Sequence, residues 1–113
     1  MAERQRVTYE DVRKIGLALP RVEDSTSYGT PALKVKGKLM ARLKEDGETL
    51  VVIIGFEERQ KMLEADPRVF FITDHYLNYP SVLVRLPLVR RDVLRGLLKG
   101  AWERAAARAK RKR

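Results

Sequence analysis

The feature that most constrains the fold of this chain is an alternating pattern within residues 28–54. Apolar and basic side chains take turns along its first part, which is the period-two pattern of strands with one buried and one solvent-facing side. The buried side is predicted to consist of Leu33, Val35, Leu39, Ala41 and Leu43. The solvent-facing side is predicted to be almost purely cationic and to consist of Lys34, Lys36, Lys38, Arg42 and Lys44.

Two dipeptides divide this stretch into strands. Lys36-Gly37 and Asp46-Gly47 are predicted to form tight turns, since glycine adopts positive φ without steric cost and Asp-Gly suits a two-residue hairpin turn. The segment after the second turn, residues 49–54, is apolar on both faces and is predicted to be an interior strand. The whole stretch therefore predicts the centre of an antiparallel sheet.

Helical patterns flank the central strands. Thr8 followed by Glu10 and Asp11 is typical of a helix N-terminus, and this first helix is expected to end near Pro20. Residues 21–27 are predicted to be a polar connection. The last helix is predicted from an apolar stripe at helical spacing, formed by Leu94, Leu97, Leu98, Ala101, Trp102 and Ala105.

One more helix and two short strands are predicted between these elements. Residues 55–65 are predicted to be a short helix, with Phe56 facing the core and Arg59 facing water. Residues 69–72 and 81–86 are predicted to be strands, separated by an aromatic and polar loop at 74–80.

The predicted order of elements defines the fold class. Antiparallel strands flanked by terminal helices are typical of an α+β fold. We predict an antiparallel sheet of about five strands with the terminal helices packed on one face, in the order α-β-β-β-α-β-β-α. A chain of 113 residues is long enough to bury a core as a single domain. That domain is predicted to cover residues 1–109, with 110–113 as a basic, disordered tail.

Composition and motifs exclude several classes of function. The chain has no cysteine and a single histidine, His75, which excludes thiol nucleophiles, disulfides and multi-histidine metal sites. It also lacks the glycine-rich phosphate loops and the nucleophile and metalloprotease motifs of common enzymes. We therefore expect no catalysis, no metal and no cofactor. No apolar run approaches the about 18 residues that span a bilayer, so we expect no membrane insertion and a cytoplasmic location.

The charge of the chain favours a polyanionic partner. The formal net charge is +9 at pH 7, and much of it lies near the C-terminus. Within residues 101–113 the acidic side chain is Glu103, whereas the basic ones are Arg104, Arg108, Lys110, Arg111, Lys112 and Arg113. Such a balance favours nucleic acid first and an anionic membrane surface second, through phosphate neutralisation and counterion release. Solubility alone also explains it.

Several motifs of the chain resemble those of a known family. They are Thr8-Tyr9-Glu10-Asp11, Leu17-Ala18-Leu19-Pro20, the Tyr28-Gly29-Thr30-Pro31 entry, the Lys34-Val35-Lys36-Gly37-Lys38 hairpin and His75-Tyr76-Leu77-Asn78-Tyr79-Pro80. Over nearly its whole length the sequence thus resembles the MmcQ/YjbR-like family of small bacterial proteins. The resemblance implies a frataxin-type α+β topology and a double-wing arrangement suggestive of DNA binding, with the first wing at the hairpin around Gly37.

The leading hypothesis is a non-enzymatic protein that binds nucleic acid, DNA in preference to RNA, mainly through backbone contacts. Lysines two residues apart on a strand are separated by roughly 6.5 to 7 Å, close to the interval between phosphates on one strand. The predicted contacts are Lys34, Lys36, Lys38, Arg42, Lys44, Arg85, Arg90, Arg91, Lys110, Arg111, Lys112 and Arg113. The alternative is that the hairpin lysines keep an exposed sheet soluble and discourage edge pairing.

The rival hypothesis is a small-ligand or protein-binding module. Its site is predicted between the hairpin and the later loop, at Tyr28, His75, Tyr76 and Tyr79. Tyrosines stack on flat ligands, but they also anchor loops through locally satisfied hydroxyls. The sequence leaves open the oligomeric state, and it leaves open whether the hairpin cations share a surface with Arg85.

Overall fold

The computed structural model describes residues 6–111 as an antiparallel sheet with helices packed against it. The helices are α1 (Tyr9–Leu17), α2 (Phe56–Ala65) and α3 (Arg91–Arg111). The strands are β1 (Val22–Ser27), β2 (Thr30–Val35), β3 (Lys38–Leu43), β4 (Thr49–Ile53), β5 (Phe70–Phe71) and β6 (Ser81–Arg85). Their order in the six-stranded sheet is β1-β2-β3-β4-β6-β5, and every neighbouring pair is antiparallel. The predicted α+β class is confirmed.

The core lies between the sheet and the terminal helices. Leu33 pairs with Ala41, and Ala41 pairs in turn with Val52, so these buried side chains form a row on one face of the sheet. Leu94 and Leu98 of α3 are fully buried against this face, as their helical spacing predicts. The sheet therefore has one face under α1 and α3, and a second face that points away from them.

Gly16 allows α1 to approach the sheet closely. A Cβ atom at this position would overlap the Cδ1 atom of Leu33, which is itself fully buried. The helix begins as predicted, because the backbone N–H of Thr8 donates to the carboxylate of Asp11 at 2.9 Å. Thr8 and Asp11 thus cap α1, and the lack of a side chain at Gly16 allows the helix to pack closely against the sheet.

Strand β1 corrects the prediction that residues 21–27 form a connection. Its polar sequence gives no alternating apolar signal, because it is an edge strand whose ladder partner is β2. An ion pair between Arg13 of α1 and Asp24, with Nη2 and Oδ2 2.7 Å apart, ties this edge to the helix layer. Main-chain hydrogen bonds hold the strand in the sheet. Because these bonds do not depend on the side chains, a hydrophobic pattern does not reveal them.

A β-bulge in β3 overturns the predicted cationic face. Leu33 pairs with Ala41, but the next residue, Lys34, pairs with Leu39, so Met40 is an extra residue on β3. Because one extra residue reverses the alternation, Leu39 shares the second face with Lys34, whereas Lys38 lies opposite Val35. The predicted division into an apolar and a purely basic face was therefore wrong.

The orientation of α2 also differs from the prediction. Arg59 was expected to face water but is buried, with 8% of its surface exposed. Phe56 was expected to face the core but is 49% exposed, and its ring lies 4.9 Å from the Arg59 guanidinium carbon. The reason is a set of backbone carbonyls beneath α2, which a guanidinium satisfies and a phenyl ring does not.

The C-terminal helix continues further than the apolar stripe predicted. Its last residue is Arg111, so Lys110 and Arg111 of the predicted tail are helical, while Lys112 and Arg113 lie outside the described residues. None of the helices in the described part of the chain is long and apolar enough to cross a membrane. Within residues 6–111, no three His, Asp or Glu side chains are grouped so that they could hold a metal ion.

Candidate functional site

The second face of the sheet forms the floor of a cavity. Val51 pairs with Arg42 on one side, and Ile53 pairs with Ser81 on the other, so these four side chains lie on the same face. The β1–β2 turn and the loop before β6 border this floor and enclose about 460 Å³. We call this space the aromatic cavity; its lining residues are Tyr28, Leu39, Arg42, Glu45, Val51, Ile53, His75, Tyr76, Tyr79 and Ser81.

All four residues of the predicted ligand site line this cavity. The rings of His75 and Tyr76 are 4.8 Å apart in an edge-to-face arrangement, and those of His75 and Tyr79 are 6.0 Å apart. These three side chains come from a short 3-10 turn and the residues after it. The backbone carbonyl of Pro80 accepts hydrogen bonds from the N–H groups of Ile54 and Gly55, both at 2.9 Å, which pins the end of this loop to the β4–α2 junction.

Tyr28 reaches the cavity from the opposite side. It occupies the β1–β2 turn with a φ of 54°, followed by Gly29 with a φ of 80°, the pattern of a type I′ hairpin turn. A bulky side chain in the left-handed region is uncommon and strained. The ring is 85% exposed, and the guanidinium carbon of Arg42 lies 5.1 Å from its centre. The turn thus holds a tyrosine at the rim, at some cost in backbone energy.

Arg42 is a buried cation in the wall of the cavity. Its Nη1 atom donates to Thr30 Oγ1 at 2.9 Å and to the Leu43 carbonyl at 3.3 Å, and it lies 3.7 Å from Glu45 Oε2. The Nε and Nη2 groups make no hydrogen bond to any residue of the described chain. Arg42 therefore presents a fixed guanidinium with donors that are not used within the protein.

Ser81 contributes a second polar group that the fold leaves unsatisfied. The residue is 1% exposed, and its Oγ atom is buried without a hydrogen-bond partner among residues 6–111. Leaving a buried hydroxyl unpaired costs free energy, and such groups call for an explanation in terms of function, water or strain. The residue lines the floor of the cavity, but solvent does not reach its Oγ atom.

A second concavity lies where the β2–β3 turn meets the end of α3. It encloses about 270 Å³, and the cations that line it are Arg21, Lys36 and Lys110. We call these three residues the basic corner. The other lining residues are apolar or proline, namely Pro20, Val35, Trp102, Ala106 and Ala109, so the lining contains no acidic side chain.

Trp102 and two turns hold the basic corner together. Trp102 is half-buried, and its Nε1–H donates to the Pro20 carbonyl at 2.9 Å, which joins α3 to the end of α1. Arg21 follows with a φ of 65°, and Lys36-Gly37 forms the predicted tight turn with φ values of 49° and 82°. Three segments that are distant in sequence therefore present their cations at one place.

The structure separates the remaining predicted nucleic-acid contacts. Arg85 and Lys44 flank Thr49 on the second face, because Arg85 pairs with Thr49 and the Lys44 N–H donates to the Thr49 carbonyl at 2.8 Å. The hairpin cations on that face and Arg85 thus share one surface, which the sequence had left open. Arg85 stacks on Phe71, with its guanidinium carbon 4.0 Å from the ring centre. The Lys44 ammonium lies 5.4 Å from the ring centre of Tyr76.

Two arginines at the start of α3 are engaged with carboxylates. Arg90 pairs with Asp92 at 2.9 Å, and Arg91 pairs with Asp11 at 3.3 Å. Arg91 and Lys110 are separated by about 28 Å along α3, from the rise of an α-helix. The predicted set of contacts therefore falls into three places, not one continuous groove.

Sequence reasoning missed several residues that line the two sites. Arg21 was placed in a polar connection, and Leu39 was assigned to the core. Ser81 carries no signal of its own, because its importance depends on the absence of a partner in three dimensions. Glu45 is adjacent to a predicted turn, and only the structure shows that its carboxylate approaches Arg42.

The fold and these surfaces define a small α+β protein whose sheet carries helices on one face and a cavity on the other. A solved structure with this fold is the crystal structure of Deinococcus radiodurans protein DR2400, which contains the domain designated DUF419. The match has a TM-score of 0.72 at 24% sequence identity and covers 86% of this chain and 77% of that chain. At this level of identity the likeness concerns the fold.

The family follows from the sequence itself. The model of the YjbR family matches residues 17–104, so the chain belongs to the YjbR family, and the resemblance found in its motifs is confirmed. No curated protein matches the sequence significantly.

Proposed function

We propose that the protein binds the phosphate backbone of nucleic acid through the basic corner. The observation that carries this proposal is that Arg21, Lys36 and Lys110, from three separate segments, line one concavity without an acidic neighbour in its lining. Like charges brought together repel one another, and a polyanion relieves that repulsion while releasing its own counterions. A net charge of +9 adds long-range attraction to the same partner.

The corner supports this function better than the predicted hairpin face does. On that face, Arg42 is buried and approaches Glu45, and Lys34 stands opposite Glu23 of β1. Carboxylates at these positions neutralise part of the cationic charge and repel phosphate. The corner has exposed cations with no such partner in its lining.

The chemistry of the corner favours contacts to phosphate over contacts to bases. Its floor is apolar, and the indole N–H of Trp102 is already bonded to the Pro20 carbonyl. Base reading needs directional donors and acceptors held against the groove edges. Flexible lysine stems supply charge without such direction, so we expect affinity with little dependence on sequence.

The experiment is a titration of fluorescently labelled duplex DNA with wild-type protein and with an Arg21→Gln, Lys36→Gln, Lys110→Gln variant. Fluorescence anisotropy is measured over a series of salt concentrations. Loss of three phosphate contacts reduces the slope of log K against log salt concentration by about 2.7. The same titration with duplex RNA tests whether DNA is the preferred partner.

A matched control removes the same amount of charge elsewhere. Lys14, Arg95 and Lys99 line a groove between α1 and α3. Replacing all three with Gln keeps the net charge equal to that of the corner variant, and we expect a smaller change in affinity and in salt slope. Equal losses in both variants contradict the proposal, because they attribute binding to net charge alone. A salt-independent affinity of the wild type contradicts it as well.

A further inference from the structure

We propose that the aromatic cavity binds a small planar molecule that carries one anionic group, a carboxylate or a phosphate. This inference does not depend on nucleic-acid binding, since the cavity and the basic corner share no lining residue. The volume of about 460 Å³ falls within the range of about 300 to 1,000 Å³ that is typical of small-molecule sites. Its floor of Leu39, Val51 and Ile53 is apolar, as such sites require.

Arg42 supplies the anion-binding group. Its Nη1 atom is anchored to Thr30 and to the Leu43 carbonyl, which restricts the guanidinium to one orientation. The Nε and Nη2 groups make no hydrogen bond within the described chain, and this pair of donors matches the geometry of a carboxylate or phosphate. The acidic side chain that lines the cavity is Glu45, which is largely exposed and lies 3.7 Å away, so it competes only weakly.

Tyrosines on two opposite sides supply the surfaces for a flat ring. Tyr28 stands on the β1–β2 turn, while Tyr76 and Tyr79 belong to the loop before β6. Tyr79 is 55% exposed, so together with Tyr28 it leaves a large aromatic area in contact with solvent at the mouth of the cavity. A planar ligand covers this area, and stacked or edge-to-face ring contacts add to the burial.

Ser81 lies at the end of the cavity floor that is far from Arg42. One strand, β4, lies between the two residues, and two inter-strand spacings with a two-residue offset put their Cα atoms roughly 12 Å apart. A planar ring with its anionic group on the Arg42 guanidinium fits along this floor.

The experiment titrates ¹⁵N-labelled full-length protein with a matched set of probes at millimolar concentration. The probes are benzoate, phenyl phosphate, the neutral benzamide and acetate. We expect saturable amide shifts at Tyr28, Ile53 and Ser81 with both anionic rings, and none at Lys36 or Lys110. The neutral amide is expected to bind at least about tenfold more weakly, because it lacks the charge-assisted hydrogen bonds. Comparing the two anionic rings distinguishes carboxylate from phosphate as the preferred group.

Single substitutions show which side chains of the cavity contribute to the affinity for the ligand. Arg42→Gln is expected to weaken binding of the anionic rings at least about tenfold. Glu45→Gln removes a competing carboxylate and is expected to tighten binding about threefold. Ser81→Ala is expected to leave ring affinity unchanged without lowering the melting temperature, since it removes an unpaired hydroxyl that the cavity does not expose. Arg85→Gln, on the same face but outside the cavity lining, is the charge-matched control.

Two outcomes of the probe titrations overturn the proposal. One is the absence of saturable shifts at the cavity residues with both anionic rings. The other is equal affinity for neutral and anionic rings. If Arg42→Gln fails to fold, the Tyr28→Ala and Glu45→Gln variants test the proposal instead, because both side chains are exposed and their replacement leaves the fold intact. Unchanged ligand affinity in both variants contradicts the proposal. We expect the Arg21→Gln, Lys36→Gln, Lys110→Gln variant to show the same ligand-induced amide shifts as the wild type. A failure of ligand binding in the cavity is therefore distinguishable from a failure of nucleic-acid binding at the basic corner.

Discussion

Arg59 of α2 donates a hydrogen bond from Nη1 to the backbone carbonyl of Tyr79 at 2.8 Å. The same guanidinium donates to the carbonyls of Tyr76, Leu77 and Ser81 at 3.1 to 3.3 Å. One buried side chain therefore satisfies three carbonyls of the loop that borders the aromatic cavity and a fourth at the start of β6. Arg59 acts as a positioning residue for that loop, because the loop has little regular structure of its own.

Replacing Arg59 with Met tests this role. Met has a similar length but no donors, so the buried carbonyls lose their partners, and we expect the free energy of unfolding to fall by about 3 kcal/mol. Urea denaturation followed by Trp102 fluorescence measures it. Arg68→Met is the control, since that side chain is largely exposed, and we expect a change below about 0.5 kcal/mol. Equal effects of the two substitutions would show that the contacts of Arg59 with the carbonyls add no stability beyond that of an exposed arginine.

The backbone conformation at Tyr28 is expected to lower the stability of the protein while it holds the tyrosine ring in place for ligand binding. Asn and Gly tolerate the left-handed conformation that Tyr28 adopts with a φ of 54°. Tyr28→Asn is therefore expected to raise the free energy of unfolding by about 0.5 to 1 kcal/mol, while it weakens ring binding in the cavity. Thermal unfolding measures the first effect. Tyr79→Asn has no positive φ to relieve, so a similar gain there would argue against backbone strain as the cause.

Asp46 links stability to acid pH. The Glu48 N–H donates to its carboxylate at 2.9 Å, and this bond, with those from the Thr49 hydroxyl and N–H, lowers the pKa of Asp46. Because the folded state favours the charged form, the stabilisation is present above the ordinary pKa of 3.8 and is lost as the pH falls below it.

The variant Asp46→Ala measures that contribution. We expect a loss of about 1 kcal/mol at neutral pH, an amount typical of a carboxylate that caps backbone N–H groups near the surface. The difference from wild type should shrink as the pH falls below 3.8. Thermal melts over a pH series provide the measurement. Glu48→Ala removes a carboxylate but keeps the backbone N–H, so a matching pH dependence in that variant would refute the assignment.

Tyr9 links stability to alkaline pH. Burial, and secondarily the nearby charge of Asp24, raises the pKa of Tyr9 to about 12. Folding therefore favours the neutral phenol, and its contribution is lost as the pH rises above the ordinary value of 10.0 towards 12. The Tyr9 hydroxyl is also buried without a partner among the described residues.

Tyr9→Phe keeps the ring and removes the hydroxyl. We expect the melting temperature at pH 7 to be unchanged or higher, because an unpaired buried hydroxyl costs about 1 to 3 kcal/mol. Near pH 11 the variant should exceed the wild type by more, and ultraviolet titration should show one late phenolate only in the wild type. A lower melting temperature of the variant at pH 7 would reveal a hydrogen bond that the described structure does not contain.

Local patterns predicted most of the helices and strands. The Lys36-Gly37 turn, the buried strand β4 and the apolar stripe of α3 depend on residues close in sequence, and the structure contains all of them. Asp46-Gly47 also lies in a turn, but the predicted two-residue form is wrong, because the Lys44 N–H bonds to the Thr49 carbonyl and leaves residues 45–48 in the loop. Strand β1 was missed because an edge strand of polar residues is held by main-chain hydrogen bonds. The inward position of Arg59 was missed because its partners are carbonyls about twenty residues away.

The amino-acid sequence by itself determined most of the strands and helices, with the exception of the polar edge strand β1. It also determined that cations and tyrosines crowd the central stretch and the later loop. Only the tertiary structure decided which of these side chains share a surface. A single extra residue at Met40 turns Leu39 to the face of Arg42 and divides the predicted row of cations. The physical reason is that local preferences set φ and ψ along one strand, whereas the choice of face depends on pairing with β2 and on packing against α3.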